Sequence, residues 1–87
     1  EAGAMTNDRL SVRAWPNPST DEFNLRVTGQ SNELIRVNVF DMQGRLINTY
    51  TVNSNSLLRF GNNLRGGMYI AEIRQGVSVS RIKLVKQ

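Results

Sequence analysis

The 87-residue chain contains no cysteine and no histidine, and these two absences exclude several kinds of site. Without cysteine, neither a disulfide nor a thiolate-bound metal can reinforce the fold. Without histidine, the chain lacks the usual general base, the commonest imidazole metal ligand and the side chain that titrates near neutral pH. A domain of this size buries only about 60–65 % of the surface of its unfolded chain, so its core is thin.

Long apolar runs and aromatic side chains are also scarce. No apolar run approaches the roughly 18 residues of a membrane-spanning helix, so we expect no membrane insertion. One Trp, two Tyr and three Phe leave Val, Ile and Leu to form most of the core. Residues 1–9 contain no hydrophobic signal region, and we interpret them as a linker or as residues left by cloning, outside the folded domain.

Positive charge is in excess, but it is not concentrated in one run. Eleven basic and seven acidic residues give a net charge of +4, and the arginines are spread along the chain. Only Arg81, Lys83 and Lys86 lie close together in the sequence. Nucleic-acid-binding proteins usually show a basic stripe with exposed aromatic side chains, so we expect no nucleic-acid partner. Outward-facing strand positions are the simpler interpretation of these cations.

Apolar and polar residues alternate with a period of two, which is typical of strands with one buried face. Phe23 and Leu25, for example, alternate with Asn24 and Arg26. Seven segments follow this pattern, at residues 10–15, 23–27, 35–39, 45–52, 56–60, 67–75 and 77–85. About seven short strands without helical periodicity predict an all-β fold, an immunoglobulin-like antiparallel β-sandwich that lacks the disulfide.

Turn residues separate these segments. Residues 41–44, DMQG, predict a type I turn in which Gly44 takes a positive φ, and residues 75–76, QG, predict a second tight hairpin. Leu64 is bracketed by glycine-containing turns, so we expect a loop that places this side chain in the core. In the last segment the apolar positions change phase near Ser80, which predicts either a bulge or a crossing from loop to sheet there.

The sequence Trp15-Pro16-Asn17-Pro18 predicts a rigid corner after the first segment. Each proline fixes its own φ near −65° and restricts the residue before it. Asn17 is expected to hydrogen-bond to neighbouring backbone through its side chain. On these residues alone, the corner is a structural element.

The carboxylates give little sign of catalysis. Asp21 and Glu22 are adjacent, so in a strand they would point to opposite faces, and the serines have no histidine partner. Asp21 with Asn17 forms a candidate calcium site, because calcium prefers oxygen ligands, but no EF-hand-like pattern supports it. We therefore predict that the chain is not an enzyme and uses no cofactor.

Four short motifs occur in a fixed order along the chain. They are Trp15-Pro16-Asn17-Pro18 with the strand at 23–25, Asp41-x-x-Gly44-Arg45, Leu64 followed by Gly67-Met68-Tyr69, and Lys83-Leu84-Val85-Lys86. In this order and spacing, the chain resembles the C-terminal sorting domain of cargo proteins of the type IX (Por) secretion system. The resemblance covers about residues 10–87. It departs from the usual pattern at Trp15, where Tyr or Phe is commoner, and at Gln87, which follows the final lysine.

The resemblance implies a sorting module at residues 10–87 that forms the end of a larger exported protein. It implies recognition in the periplasm by shuttle components and by the outer-membrane translocon. A sortase-like peptidase would cut upstream, in a cleavage-site region within residues 1–9, and the cargo would be released or attached at the cell surface. An adhesion or carbohydrate-binding module and a plain spacer are the alternative functions.

The motif residues are the recognition residues that the resemblance implies, although Gly67 and Tyr69 are expected to act mainly in the fold. We expect Leu84 to anchor the last segment in the core. Lys83 and Lys86 are expected to lay their stems along the sheet and hold their ammonium groups in water. The alternative is that these lysines only keep an edge strand soluble. An exposed edge is also expected to allow pairing with another copy or a carrier.

Overall fold

The computed structural model describes residues 10–87, and these residues form seven strands and no helix. The strands are β1 (Leu10–Trp15), β2 (Phe23–Gly29), β3 (Ile35–Asp41), β4 (Leu46–Val52), β5 (Leu57–Phe60), β6 (Gly67–Gln75) and β7 (Ser78–Lys86). Each lies within two residues of the segment that alternation predicts. The described residues therefore provide no helix that could cross a membrane.

The strands form two antiparallel sheets that pack face to face. One sheet has three strands in the order β1-β2-β5, and the other has four in the order β4-β3-β6-β7. Because β2 pairs with β5 and β3 pairs with β6, the chain crosses between the sheets more than once. The predicted immunoglobulin-like β-sandwich is confirmed.

The core lies between the sheets and is built by alternation. In β1 and in the first five residues of β2 and β3, every second residue is buried and the residues between them are exposed or half-buried. The rings of Phe23 and Tyr50 pack on either side of Phe60, with centroid distances of 5.8 and 5.4 Å. The buried apolar residues are Leu10, Val12, Ala14, Phe23, Leu25, Val27, Ile35, Val37, Val39, Phe60, Tyr69, Ala71, Ile73, Ile82 and Leu84.

The predicted turns are present. After β3, the amide of Gly44 donates to the carbonyl of Asp41 at 3.0 Å, and Gly44 has a φ of 83°. Between β6 and β7, Gln75 pairs directly with Ser78, so two residues close the hairpin. Leu64 packs against the core from the loop after β5, as expected.

Of the two alternatives predicted near Ser80, the bulge is wrong, and the loop instead passes into the sheet at Ser78, two residues earlier. Strand β7 is described in full, and it pairs with β6 from Ser78 to Lys86 without a shift of register. The change of phase has another cause, because Val77 lies at the hairpin tip, where it is 85 % exposed, and Val79 is half-buried. Neither valine is part of the buried core, and Ser80 takes the core-facing position that starts the inward alternation of β7.

Candidate functional site at one end of the sandwich

The four motifs come together at one end of the sandwich. Asp41, Tyr69 and Leu84 are direct cross-strand neighbours in β3, β6 and β7. The proline corner follows β1 at this same end, since Trp15 pairs with Asn24 near the start of β2. We call this region the motif end, made up of residues 15–24, 41–46, 60–69 and 83–87. The opposite end consists of residues 28–35, 52–57 and 75–78.

The proline corner binds the edge of β7. The side-chain Nδ2 of Asn17 donates to the carbonyl of Lys83 at 2.7 Å, and its Oδ1 accepts from the amide of Val85 at 2.9 Å. The amide of Ser19 then donates to the carbonyl of Val85 at 2.9 Å. The expectation that Asn17 bonds to backbone is confirmed, and the backbone groups that it contacts here belong to the last strand. The corner thereby covers part of a sheet edge that would otherwise lie open.

The residues of the corner itself are held in a defined shape. Trp15 is half-buried at the end of β1, and its carbonyl accepts from the Asn24 side chain at 3.1 Å. The peptide bonds before Pro16 and Pro18 are both cis. The corner therefore ends β1, as the sequence predicts, and leads the chain across to β7.

Lys86 is the one motif lysine whose ammonium is buried, and the expectation that this group lies in water is wrong. The side chain is only 6 % exposed, and its Nζ donates to the carbonyls of Asp21 and Gly61. Lys86 follows Ile82 and Leu84 in the alternation of β7, and this position turns it inward. Because two carbonyls accept from it, the buried cation is not left without hydrogen bonds. Lys86 thus joins the corner and the loop after β5 to the last strand.

Lys83 and Leu84 lie as predicted. Leu84 is fully buried between the sheets, and Lys83 is exposed on the outer face of the four-stranded sheet. Val85 is half-buried and faces the same outer side as Lys83. The sequence Lys-Leu-Val-Lys therefore presents two side chains outward and two inward.

The segment Asp41-x-x-Gly-Arg is a self-contained turn. The Oδ1 of Asp41 accepts from the amides of Gln43 and Arg45 at 2.9 and 3.0 Å, and Oδ2 accepts from Arg45 Nε at 2.8 Å. The bond from the Arg45 backbone, with the guanidinium and the Gln43 amide, lowers the pKa of the Asp41 carboxyl although partial desolvation opposes this. Gly44 supplies the positive φ that lets the chain reverse. The side chain of Arg45 remains largely exposed.

Gly67 and Tyr69 hold the start of β6. Gly67 has a φ of 150°, a conformation that favours glycine, where the chain enters the strand. Tyr69 is buried, and its hydroxyl donates to the carbonyl of Arg65 at 2.8 Å. This bond ties the preceding loop to the sheet, which agrees with the structural role expected for both residues.

The contacts of Asn17 and Asp21 do not favour the candidate calcium site. The Oδ1 of Asn17 already accepts from Val85, and the Lys86 ammonium lies against the carbonyl of Asp21. Among residues 10–87, no group of three or more His, Cys, Asp or Glu side chains is placed to hold a metal ion.

The opposite end offers no sugar-binding platform among the described residues. Its open cleft is lined by Gln30, Ser31, Glu33, Gln75, Val77 and Ser78, none of which is aromatic. The ring of Tyr50, a residue of β4, packs on Phe60 instead of facing solvent as a flat surface. A carbohydrate-binding module is therefore not favoured.

Sequence reasoning missed the groups that receive Lys86 and Tyr69. The acceptors are the main-chain carbonyls of Asp21, Gly61 and Arg65, and main-chain groups carry no residue-type signal. The inward direction of the Lys86 side chain could have been predicted, because in the sequence Lys86 is in phase with Ile82 and Leu84.

A comparison with protein families finds a match over most of the chain. Residues 13–87 match the family described as "Secretion system C-terminal sorting domain". The matched range contains all four motifs and every strand except the first three residues of β1. No curated protein matches the chain.

Proposed function

Because the chain belongs to the family of secretion system C-terminal sorting domains, we propose that its motif end is the surface on which the export machinery recognises it. The chain is a C-terminal sorting signal for cargo of type IX secretion, and its family is not catalytic. Such domains are recognised by the type IX machinery, and their cargo is exported across the outer membrane.

The contact between Asn17 and β7 is the observation that carries the proposal. Asn17, in the proline corner, is 66 residues from Lys83 and 68 residues from Val85 in the sequence, yet its side chain hydrogen-bonds to the backbone of both. These two bonds join two of the family motifs. The corner therefore fixes the last strand in one conformation, with Lys83 exposed. A receptor that binds a preorganised surface does not have to order it, which favours binding. The sorting signal is thus a surface that the folded sandwich assembles.

The proposal extends to the route of the cargo. Shuttle components and the outer-membrane translocon bind the module in the periplasm, and the cargo then reaches the cell surface or the medium. Residues 10–87 form the sorting module, which carries out no chemistry and needs no cofactor. A sortase-like peptidase cuts within residues 1–9, which lie outside the described residues. A cut upstream of Leu10 would leave all seven described strands intact.

A fusion experiment tests the proposal. The 87-residue chain is attached to the carboxyl end of a periplasmic reporter, in a bacterium that has type IX secretion, and the exported fraction of the reporter is measured. We expect the unchanged chain to export the reporter and the Lys83→Ala and Asn17→Ala variants to leave more of it in the periplasm. Circular dichroism of each purified variant checks folding, and Arg36→Ala on the same sheet is the control for Lys83→Ala.

Export of both variants at the level of the unchanged chain would contradict recognition at the motif end. Lys86→Ala is unsuitable as a mild test, because it removes a buried side chain and its two hydrogen bonds to main-chain carbonyls.

A further inference from the structure

The outer face of the four-stranded sheet carries apolar side chains beside the motif end. One cross-strand row crosses all four strands and reads Leu46, Phe40, Ile70 and Lys83. In the next row, Met68 of β6 pairs with Val85 of β7. We call Phe40, Leu46, Met68, Ile70 and Val85 the outer apolar patch.

The core does not require these residues to be apolar. Phe40 is in phase with the outward-facing Arg36 and Asn38, and the core positions of β3 are filled by other residues. Leu46 is 55 % exposed and Met68 is 41 % exposed, while the rest of the patch is half-buried. Single exposed apolar residues are normal on a protein surface, but a contiguous group of them indicates an interaction site.

An irregularity in β4 adds to the apolar surface. The register between β3 and β4 shifts after Val39, so Leu46 and Ile47 together oppose the single residue Phe40. Both Leu46 and Ile47 are exposed. Bulges redirect side chains and are common at sheet edges next to functional sites. Here the bulge leaves two neighbouring apolar side chains beside Phe40.

Among the described residues, the acidic side chains around the patch are paired with arginines, whereas Lys83 has no ion-pair partner. Lys83 ends the apolar row, and no ion pair joins it to a carboxylate among residues 10–87. The carboxylate of Asp41 is bound to Arg45 at 2.8 Å. Glu72, which lies next to the patch in β6, is bound by two arginines at 3.1 and 2.9 Å. The charge left without a partner at the patch is therefore positive.

We propose that the outer apolar patch docks a protein of the export machinery, whose matching surface is apolar and places a carboxylate against Lys83. This inference rests on the proposed function, because it identifies the partner surface of the same module. A second copy of the chain fits less well. A self-complementary contact would bring two surfaces with the same positive charge together, on molecules that each carry a net charge of +4.

The test uses the reporter fusion with two patch variants and two matched controls. Leu46→Glu and Lys83→Glu change exposed patch positions. Leu34→Glu changes a 60 % exposed leucine at the opposite end, and Arg36→Glu makes the same change of charge as Lys83→Glu on the same sheet face. We expect each patch variant to lower export by about tenfold or more, because each places a negative charge against the partner's apolar surface or its carboxylate. Both controls are expected to export like the unchanged chain, and circular dichroism confirms that all four variants fold.

The outcomes separate this inference from the proposed function. If the unchanged fusion is exported and the folded patch variants are exported equally well, the patch is not the docking surface, while the sorting function stands. If the four folded variants lose export to the same extent, charge alone explains the loss and the patch inference fails. If the unchanged fusion stays in the periplasm, both proposals fail.

Sedimentation velocity of the purified chain tests the alternative occupant. We expect a monomer at all concentrations. A dimer that Leu46→Glu dissociates would overturn the assignment of the patch to a partner protein.

Discussion

At the motif end, the amide side chain of Asn17 holds the backbone of β7 through two hydrogen bonds. At the opposite end, the buried amide of Gln75 donates to the carbonyls of Ser31 and Glu33 at 3.1 and 2.8 Å. The two ends therefore fasten a loop to a strand in the same way. In a domain with a thin core, hydrogen bonds from a side chain to distant backbone are a general means of fixing loops. Such a bond alone does not indicate function.

The two ends differ in the surface that they expose to solvent. At the motif end, the hydrogen bonds of Asn17 fix a strand that exposes Lys83 beside an apolar surface, and Arg45 is exposed in the neighbouring turn. At the opposite end, those of Gln75 fix a cleft lined mainly by polar side chains. The family motifs fall at the first end. We infer that the surface presented there, more than the way it is held, distinguishes a sorting signal from an ordinary sandwich.

The largest expected effect is the loss of the core anchor at the motif end. Leu84→Ala removes a fully buried side chain and is expected to cost about 2–5 kcal/mol, a large part of the roughly 5–15 kcal/mol that stabilises a small domain. The matched change Leu34→Ala, at an exposed leucine of the opposite end, is expected to shift stability by less than about 0.5 kcal/mol. Urea unfolding measures both. Equal midpoints for the two variants would mean that β7 does not contribute to the core as described.

The next effect separates the two lysines of the last strand. Lys86→Met keeps the length of the side chain but removes the ammonium that donates to the carbonyls of Asp21 and Gly61, so we expect a loss of about 1–3 kcal/mol. Lys83→Met changes an exposed residue and is expected to stay within about 0.5 kcal/mol. The measurement is again the free energy of unfolding in urea. An unchanged or higher stability of Lys86→Met would show that the buried ammonium does not hold this end together.

A smaller effect compares the two amides directly. Asn17→Ala and Gln75→Ala each remove two hydrogen bonds to backbone, and we expect each to cost about 1–2 kcal/mol. Hydrogen exchange distinguishes them, because the Val85 amide donates to Asn17 and should exchange faster only in Asn17→Ala. Faster exchange of Val85 in both variants would mean that the ends do not open independently.

The smallest effect is the response to acid. Contacts with arginine lower the pKa of Asp41, and at Glu72 the bonds and charges of Arg74 and Arg81 lower the pKa by outweighing the desolvation that would raise it. Both groups therefore contribute stability above their ordinary values of 3.8 and 4.5, and this is lost as the pH falls through their lower folded values. The loss is expected to be small, because the arginine partners are exposed. Unfolding in urea between pH 7 and pH 2 measures it, and a Glu72→Gln variant with an unchanged pH dependence would contradict the role of Glu72.

The fold was predictable because alternation and turn residues are local signals. Each strand matches an alternating segment, and the Asp41–Gly44 turn follows from its residue types. The bulge considered near Ser80 was wrong because alternation alone does not say which valines reach the core. Val77 lies at the tip of a hairpin, where no opposite sheet covers it.

The site was less predictable, because its contacts join distant segments. Spacing in the sequence does not show that Asn17 binds β7, nor that the Asp21 carbonyl receives an ammonium. The direction of Lys86 was available from its phase with Leu84, but a lysine near the end of a strand is ordinarily expected to face water. The outer apolar patch depends on the register of four strands, which only the assembled sheet defines.

The central claim is that the export machinery recognises the motif end, and one comparison of two variants tests this claim most directly. The exported fraction of a reporter is measured for Asn17→Ala and Gln75→Ala fusions under conditions in which both domains are fully folded. The account predicts that export falls for Asn17→Ala and stays at the level of the unchanged chain for Gln75→Ala. Equal export by the two variants, whether both high or both low, would contradict it.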